Sequence, residues 1–358
     1  MPRTNQSHAQ ELSVALTEAA PLDDRVLAGL RRRPKQIPSA YFYDEEGSRL
    51  FRRIMALPEY YVTRAEAEIL TAHASRIADA CAGRRVTLVD LGAGDGTKTS
   101  VLLDALSARC DQLVYAPVDI CAEALAELEA AHAERHPRIP VASFIGDYAE
   151  GLAAAGKRFP EHVRVALFLG SNLGNLPPDD ATALLCTWRR SLRAGDFLLL
   201  GLDLVKDPKL LQAAYDDPEG VTAAFNLNLL VRMNRELDAD FDPSSFRHYA
   251  RFDPRRNAME SYLVSTRDQL VRVAGMHRVC RVGGDPDGDV VQVSAVGRRG
   301  ICADGGAFAS GLVLRLASLV FGCALARRLT EAASDRSAGS TFSRRPSAFG
   351  APAHRALA

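Results

Sequence analysis

The segment from Val86 to Thr99, VTLVDLGAGDGTKT, constrains the chain more than any other. Its first half is almost wholly apolar and β-branched, the composition of a central parallel strand buried on both faces. Asp90 closes that strand. Gly92, Gly94 and Gly96 follow at alternate positions. A turn of this kind lets backbone approach a ligand closely and aims a helix N-terminus, with its free N–H groups, at whatever sits there. Two ligand classes are excluded by spacing. A dinucleotide fingerprint, G-x-G-x-x-G, requires glycine at Thr97. A phosphate loop requires glycine directly before the lysine, and here Thr97 separates Gly96 from Lys98.

An acidic residue followed by G-x-G-x-G resembles the first motif of the S-adenosylmethionine (SAM) dependent methyltransferases. The ordinary alternative is a plain strand–helix turn in an α/β domain. Two further segments weigh against it. LVYAPVDI, residues 113–120, is a second strand ending in Asp119, which lies 25 residues beyond Gly94, near the spacing at which a carboxylate meets a ribose diol. VASFIGDY, residues 141–148, places Asp147 at the end of a third strand, where it can accept a hydrogen bond from an adenine amino group beside the Tyr148 ring. Each aspartate alone could be a helix cap or turn residue. Acidic residues at three successive strand ends match the edge of a parallel sheet where ligands bind.

Residues 86–205 alternate strand and helix, with further strands at Val163–Leu169 and Asp196–Asp203, which implies a doubly wound parallel sheet. Ser39 to Leu70 reads as loop and helix and is dense in aromatics: Tyr41, Phe42, Tyr43, Phe51, Tyr60 and Tyr61. Val205–Leu237 turns helical. Tyr249–Val264 and Gln269–Val273 read as strands. Residues 31–33, three arginines, read as a solvated face.

Lysine plus arginine and aspartate plus glutamate both number 44, so no net field favours nucleic acid or an anionic membrane. The seven cysteines form no C-x-x-C pair, and the eight histidines form no H-E-x-x-H or H-x-x-E-H. Reduced thiols in a cytoplasmic protein without a metal are expected. Residues 306–326 are apolar and of membrane-spanning length, but Arg315 at the centre favours a soluble reading. From His277 onward the chain holds eleven arginines and no Lys, Tyr, Trp or Asn. That composition fits either a poorly ordered tail or a shifted reading frame.

Four segments, YFYDEEGSRLF, LPEYYVTRAEAEIL, FLGSNLGNL and LGLDLVKDPKLLQAAYDDPEGVTAAFNLNLLVRMNREL, together resemble the SAM-dependent histidine Nα-methyltransferases of ergothioneine biosynthesis. The resemblance runs from about Pro34 to about Val273. It implies an α/β fold: a doubly wound Rossmann-like methyltransferase sheet with a second, smaller α+β substrate domain. That domain would comprise residues 10–63 and 206–276, with the SAM-binding domain at 64–205 and an atypical segment at 277–358. The resemblance further implies that Tyr43, Gly92, Gly94 and Lys98 contact SAM, Asp119 its ribose, and Asp147 and Tyr148 its adenine. Tyr60, Asn175 and Tyr215 would hold the amino acid. No metal and no catalytic side chain are required, because an activated sulfonium makes positioning the main task. The protein is expected to act as a monomer on a small amino acid, L-histidine.

Relatives bind the substrate imidazole through a Glu-x-Ser arrangement and end in a strand pair that completes the sheet. Neither is recognised after Val273. The sequence therefore predicts weak histidine selection. It leaves open a methyltransferase for another small amine, or an inert SAM-binding remnant.

Overall fold

The computed structural model describes residues 24–33, 35–37 and 39–273, and the backbone of three short strands at 280–282, 291–296 and 312–315. The central sheet has the strand order β12-β6-β5-β2-β3-β4. Its members are β2 (Arg85–Leu91), β3 (Gln112–Asp119), β4 (Phe144–Ile145), β5 (Val163–Phe168), β6 (Phe197–Leu200) and β12 (Leu312–Arg315). The first five are parallel, and β12 runs antiparallel along β6. The chain starts at the middle, moves outward through β3 and β4, then crosses to β5 on the far side of β2. This reversal creates the switch point at which a doubly wound sheet opens a crevice at its carboxyl edge. The fold is an α/β, doubly wound, Rossmann-like sheet.

The helices of this layer are α3 (Tyr61–Asp79), α4 (Thr97–Ser107), α5 (Ala122–Arg135), α6 (Tyr148–Arg158) and α7 (Pro178–Ser191). Every residue of β2 after Arg85 is buried, as its apolar run predicts. Asp90 is the polar member of that run. Its carboxylate accepts hydrogen bonds from Thr99 Oγ1 (2.6 Å) and Tyr115 Oη (3.0 Å), and burial pushes the carboxyl up. Asp90 thus fastens the start of α4 to β2 and β3. At the opposite edge of the sheet, buried Arg164 and Asp196 form an ion pair at 2.6 Å, supported by the Arg164 and Arg193 backbone N–H groups.

A second sheet, in the order β1-β11-β8-β7, is formed by β1 (Lys35–Gln36), β11 (Val291–Val296), β8 (Ala258–Ser265) and β7 (Phe246–Asp253). Its core draws on α1 (Asp24–Arg31), α2 (Glu45–Ala56) and α9 (Val221–Glu236). The N-terminal segment and the later one therefore fold together. Phe42 stacks on Phe225 at 4.7 Å. Asp44 caps α2 by accepting the Gly47 N–H and also accepts Asn228 Nδ2 and Arg235 Nη2 from α9. Arg31, Arg32 and Arg33 are exposed, as expected.

Some elements differ from the sequence reading. The third strand shrinks to Phe144–Ile145, with a single further bridge at Val141, because Gly146 adopts φ +150° and Asp147 caps α6. The fifth strand loses both ends: Asp196 is committed to Arg164, and residues 201–207 are irregular ahead of α8 (Pro208–Ala213). Strands do follow Val273: β10 (Cys280–Val282) pairs with β9 (Gln269–Val271), β11 joins the second sheet, and β12 edges the first. The apolar residues 306–326 contribute β12, and the rest of that segment lies outside the described residues. So do most residues from His277 on, including everything beyond 330, on which the tail and reading-frame expectations fall. No helix among the described residues is long and apolar enough to cross a membrane. No cluster of potential metal ligands occurs among them.

Candidate active site

The turn after β2 is built on left-handed backbone. Gly92, Gly94 and Gly96 have φ of +74°, +57° and +67°, a region that β-carbon sterics disfavour for other residues. The Gly92 N–H is bonded to the Val118 carbonyl at 2.9 Å, which fixes the turn against β3. A Cβ on Gly92 would lie 3.0 Å from Tyr148 Oη, whereas one on Gly94 would meet nothing within 4 Å. Close approach within the protein therefore explains Gly92, and backbone conformation explains Gly94. The cradle left open there fits a ligand lying against the turn.

The other residues expected to hold SAM converge on this edge. Asp119 ends β3, where it accepts the Cys121 N–H at 3.1 Å, and burial raises its carboxyl. Tyr148 lies within electrostatic reach of Asp119, Asp90 and Tyr43. Burial, foremost, drives the phenols of both Tyr148 and Tyr43 well above their ordinary value. Asp147 accepts the Glu150 N–H at 2.8 Å, so the helix-cap role applies to it. Lys98, in the first turn of α4, forms an ion pair with Glu66 of α3.

The residues expected to hold the amino acid come from three elements. Tyr60 directly precedes α3. Tyr215 follows α8. Their rings meet edge to face at 6.4 Å. Phe51 and Phe225 join Tyr43 and Tyr60 in one aromatic cluster, with Phe51 6.2 Å from Tyr60 and Phe225 5.7 Å from Tyr43. Tyr43 is within electrostatic reach of both Tyr60 and Tyr148. Burial holds the Tyr215 phenol well up too. Asn175 ends the 3-10 turn Asn172–Asn175 that follows β5, and its half-buried carboxamide has no hydrogen-bond partner among the described residues. An amide presenting both donor and acceptor at the sheet's ligand edge suits an amino acid's charged ends.

Several supporting residues were missed by the sequence reading. Tyr61 Oη donates to buried Asp203 at 2.5 Å, and the Asp203 N–H donates to Ser171 Oγ at 3.0 Å. Ser171 opens the Asn175 turn with a left-handed φ of +61°, a strained conformation for a serine. The α3 start beside Tyr60 is thus linked to the loop that carries Asn175. His248 of β7 is bonded through Nε2 to the Tyr215 carbonyl at 2.8 Å, and burial lowers its imidazole. β11 lies against the Asn175 turn. Its Gln292 and Ser294 are spaced as Glu-x-Ser is, and stand opposite Tyr262 and Ser261 of β8. That Gln-x-Ser spacing was legible in the sequence but is one functional group away from the sought motif.

Residues 22–284 match the family described as "Histidine-specific methyltransferase, SAM-dependent". The histidine N-alpha-methyltransferase of Mycobacterium tuberculosis (strain CDC 1551 / Oshkosh) is 44% identical over 253 residues, 70% of this chain and 77% of that protein. The enzyme of the same name from Mycolicibacterium smegmatis is 45% identical over 255 residues, with the same coverage of 70% and 77%. The N-methyltransferase fsqC of Aspergillus fumigatus is 30% identical over 274 residues, 75% of this chain and 73% of that protein. With the glycine turn and the sheet order agreeing, the chain belongs to the histidine-specific, SAM-dependent methyltransferase family.

Proposed function

We propose that this protein transfers three methyl groups in succession from SAM to the α-amino nitrogen of L-histidine, giving its betaine. This reading is carried by a glycine cradle at the carboxyl edge of the sheet, the Asn175 amide on a neighbouring loop with no hydrogen-bond partner among the described residues, and the Tyr60–Tyr215 pair, whose neighbour Tyr61 is bonded to Asp203 just past β6. SAM, when bound, supplies a methyl group already activated on a sulfonium. Gly92 and Gly94 admit it against the backbone, Lys98 faces its carboxylate, Asp119 its ribose diol, and Asp147 and Tyr148 its adenine. Asn175 orients the amino acid by its carboxylate and amine. Tyr60 and Tyr215 wall the reacting nitrogen.

Burial keeps the Tyr43 and Tyr215 phenols neutral at physiological pH. The amine loses its proton before each transfer, which frees the lone pair that attacks the methyl group. The cation that grows with successive methylation is accommodated by neutral aromatic faces, an attraction of about 0.5–2 kcal/mol per ring. We read the protein as a monomeric cytoplasmic enzyme acting on a small free amino acid, with no nucleic-acid or membrane partner. Its balanced charge supports the last point.

In this reading histidine selection falls to the Gln292-x-Ser294 spacing of β11, where the sequence carries Gln at the position of the Glu in Glu-x-Ser. In general a carboxylate is a stronger acceptor for an imidazole N–H than a carboxamide, since bonds to charged groups are roughly twice as strong. Gln292→Glu is expected to raise kcat/KM for histidine about tenfold over the parent chain, with little change for other amino acids. Steady-state assays on a panel of amino acids check it. An unchanged preference would remove β11 from the substrate site.

A further inference from the structure

The geometry points to Glu66 as a positioning residue that couples the cofactor side of the site to the substrate side. Glu66 lies on α3 and is 7% exposed. Its Oε1 accepts the Gly170 N–H at 2.8 Å, and its Oε2 lies 3.1 Å from the same nitrogen while pairing with Lys98 Nζ. Gly170 opens the loop that leads through Ser171 to Asn175. Lys98 sits in the first turn after the glycine cradle. The carboxylate is wedged at the carboxyl edge of the sheet: a Cβ on Gly201, just past β6, would stand 1.9 Å from Glu66 Oε1. Gly201 is in turn fixed to the Phe168 carbonyl of β5 at 2.8 Å.

Structure alone gives little reason for a charge here. Well-packed apolar residues often serve a fold as well as a buried ion pair, and a pair that loses one partner leaves an uncompensated charge. The pair does fix one end of Lys98's long, flexible chain, so that its ammonium is held in place without a search over rotamers. The same carboxylate sets the height of the Gly170 loop. A shift in one anchor therefore moves both the methyl donor and the amine acceptor, and in-line transfer tolerates little misplacement. This inference rests on the reading of Lys98 as a SAM contact.

The test is a double-mutant cycle in the full chain: wild type, Glu66→Gln, Lys98→Met and the double variant. SAM affinity is read by calorimetry without histidine, and histidine turnover separately. Glu66→Gln keeps an oxygen for the Gly170 N–H but removes the charge facing Lys98. It is expected to weaken SAM binding about tenfold alone and to add nothing on the Lys98→Met background, the non-additivity of residues that act as a unit. The double variant has no unpaired ammonium, so the comparison with Lys98→Met holds even where Glu66→Gln folds poorly. Losses that add, or an unchanged SAM affinity in Glu66→Gln beside a loss in Lys98→Met, would overturn the role of Glu66 alone. Unchanged affinity in Lys98→Met would remove the Lys98 reading and the inference with it. Absence of histidine turnover in wild type would strike the substrate reading and leave the SAM cycle interpretable.

Discussion

Replacing Asn175 by alanine is expected to lower kcat/KM for histidine at least about a hundredfold while SAM affinity changes less than about twofold. The carboxamide stands on the turn after β5 with no hydrogen-bond partner among the described residues. In the proposed role it would engage both charged groups of the amino acid. Hydrogen bonds to charged groups are worth about 1.5–3 kcal/mol each, and losing two misaligns the amine as well as weakening its binding. Alanine fits the same backbone, and the glycine cradle belongs to a different loop, so the cofactor side stays intact. Steady-state kinetics with calorimetry separates the two effects. Equal loss of turnover and SAM affinity would mean a damaged fold and would leave Asn175 without a substrate role.

Asp119→Ala is expected to weaken SAM binding by about 1–3 kcal/mol, the cost of leaving paired polar groups unsatisfied in a site shielded from water. Asp119 terminates β3 beside the central strand. Its carboxyl, raised by burial, has the Cys121 N–H as a local partner. The proposed ribose diol would donate two further hydrogen bonds to this carboxylate. Asp119→Asn, which keeps one acceptor oxygen, should lose less. Calorimetry showing the same SAM affinity in Asp119→Ala and wild type would remove the ribose assignment.

The central sheet was legible because its strands carry their own signal. β2 is a continuous apolar run, and alternate glycines with positive φ announce the turn after it. The pairing of Tyr60 with Tyr215 was accessible only through resemblance, since 154 residues of chain lie between two tyrosines that taken singly look like half-buried core aromatics. Local patterns assign residue types to elements but do not say which partner a buried charge finds. Asp90 looked like the first of three acidic ligands, yet its carboxylate is occupied by Thr99 and Tyr115. Glu66 sits in an ordinary helical stretch, and only the sheet edge brings Lys98 and Gly170 to it. The closing strands escaped because four- and six-residue runs such as Leu312–Arg315 have too few positions for a period to emerge from an Ala-, Gly- and Arg-rich background. Tertiary pairing with β6 and β8 defines them instead.

Mass spectrometry of histidine incubated with purified protein and SAM tests most directly whether the full chain methylates the α-amino group of histidine. The expected product carries three added methyl groups on the α-nitrogen, with the mono- and dimethylated forms appearing first, and fragmentation locates them on the amine with the imidazole unmodified. Unmodified histidine after exhaustive incubation with protein that binds SAM, or methyl groups located on the ring, would contradict the proposed activity.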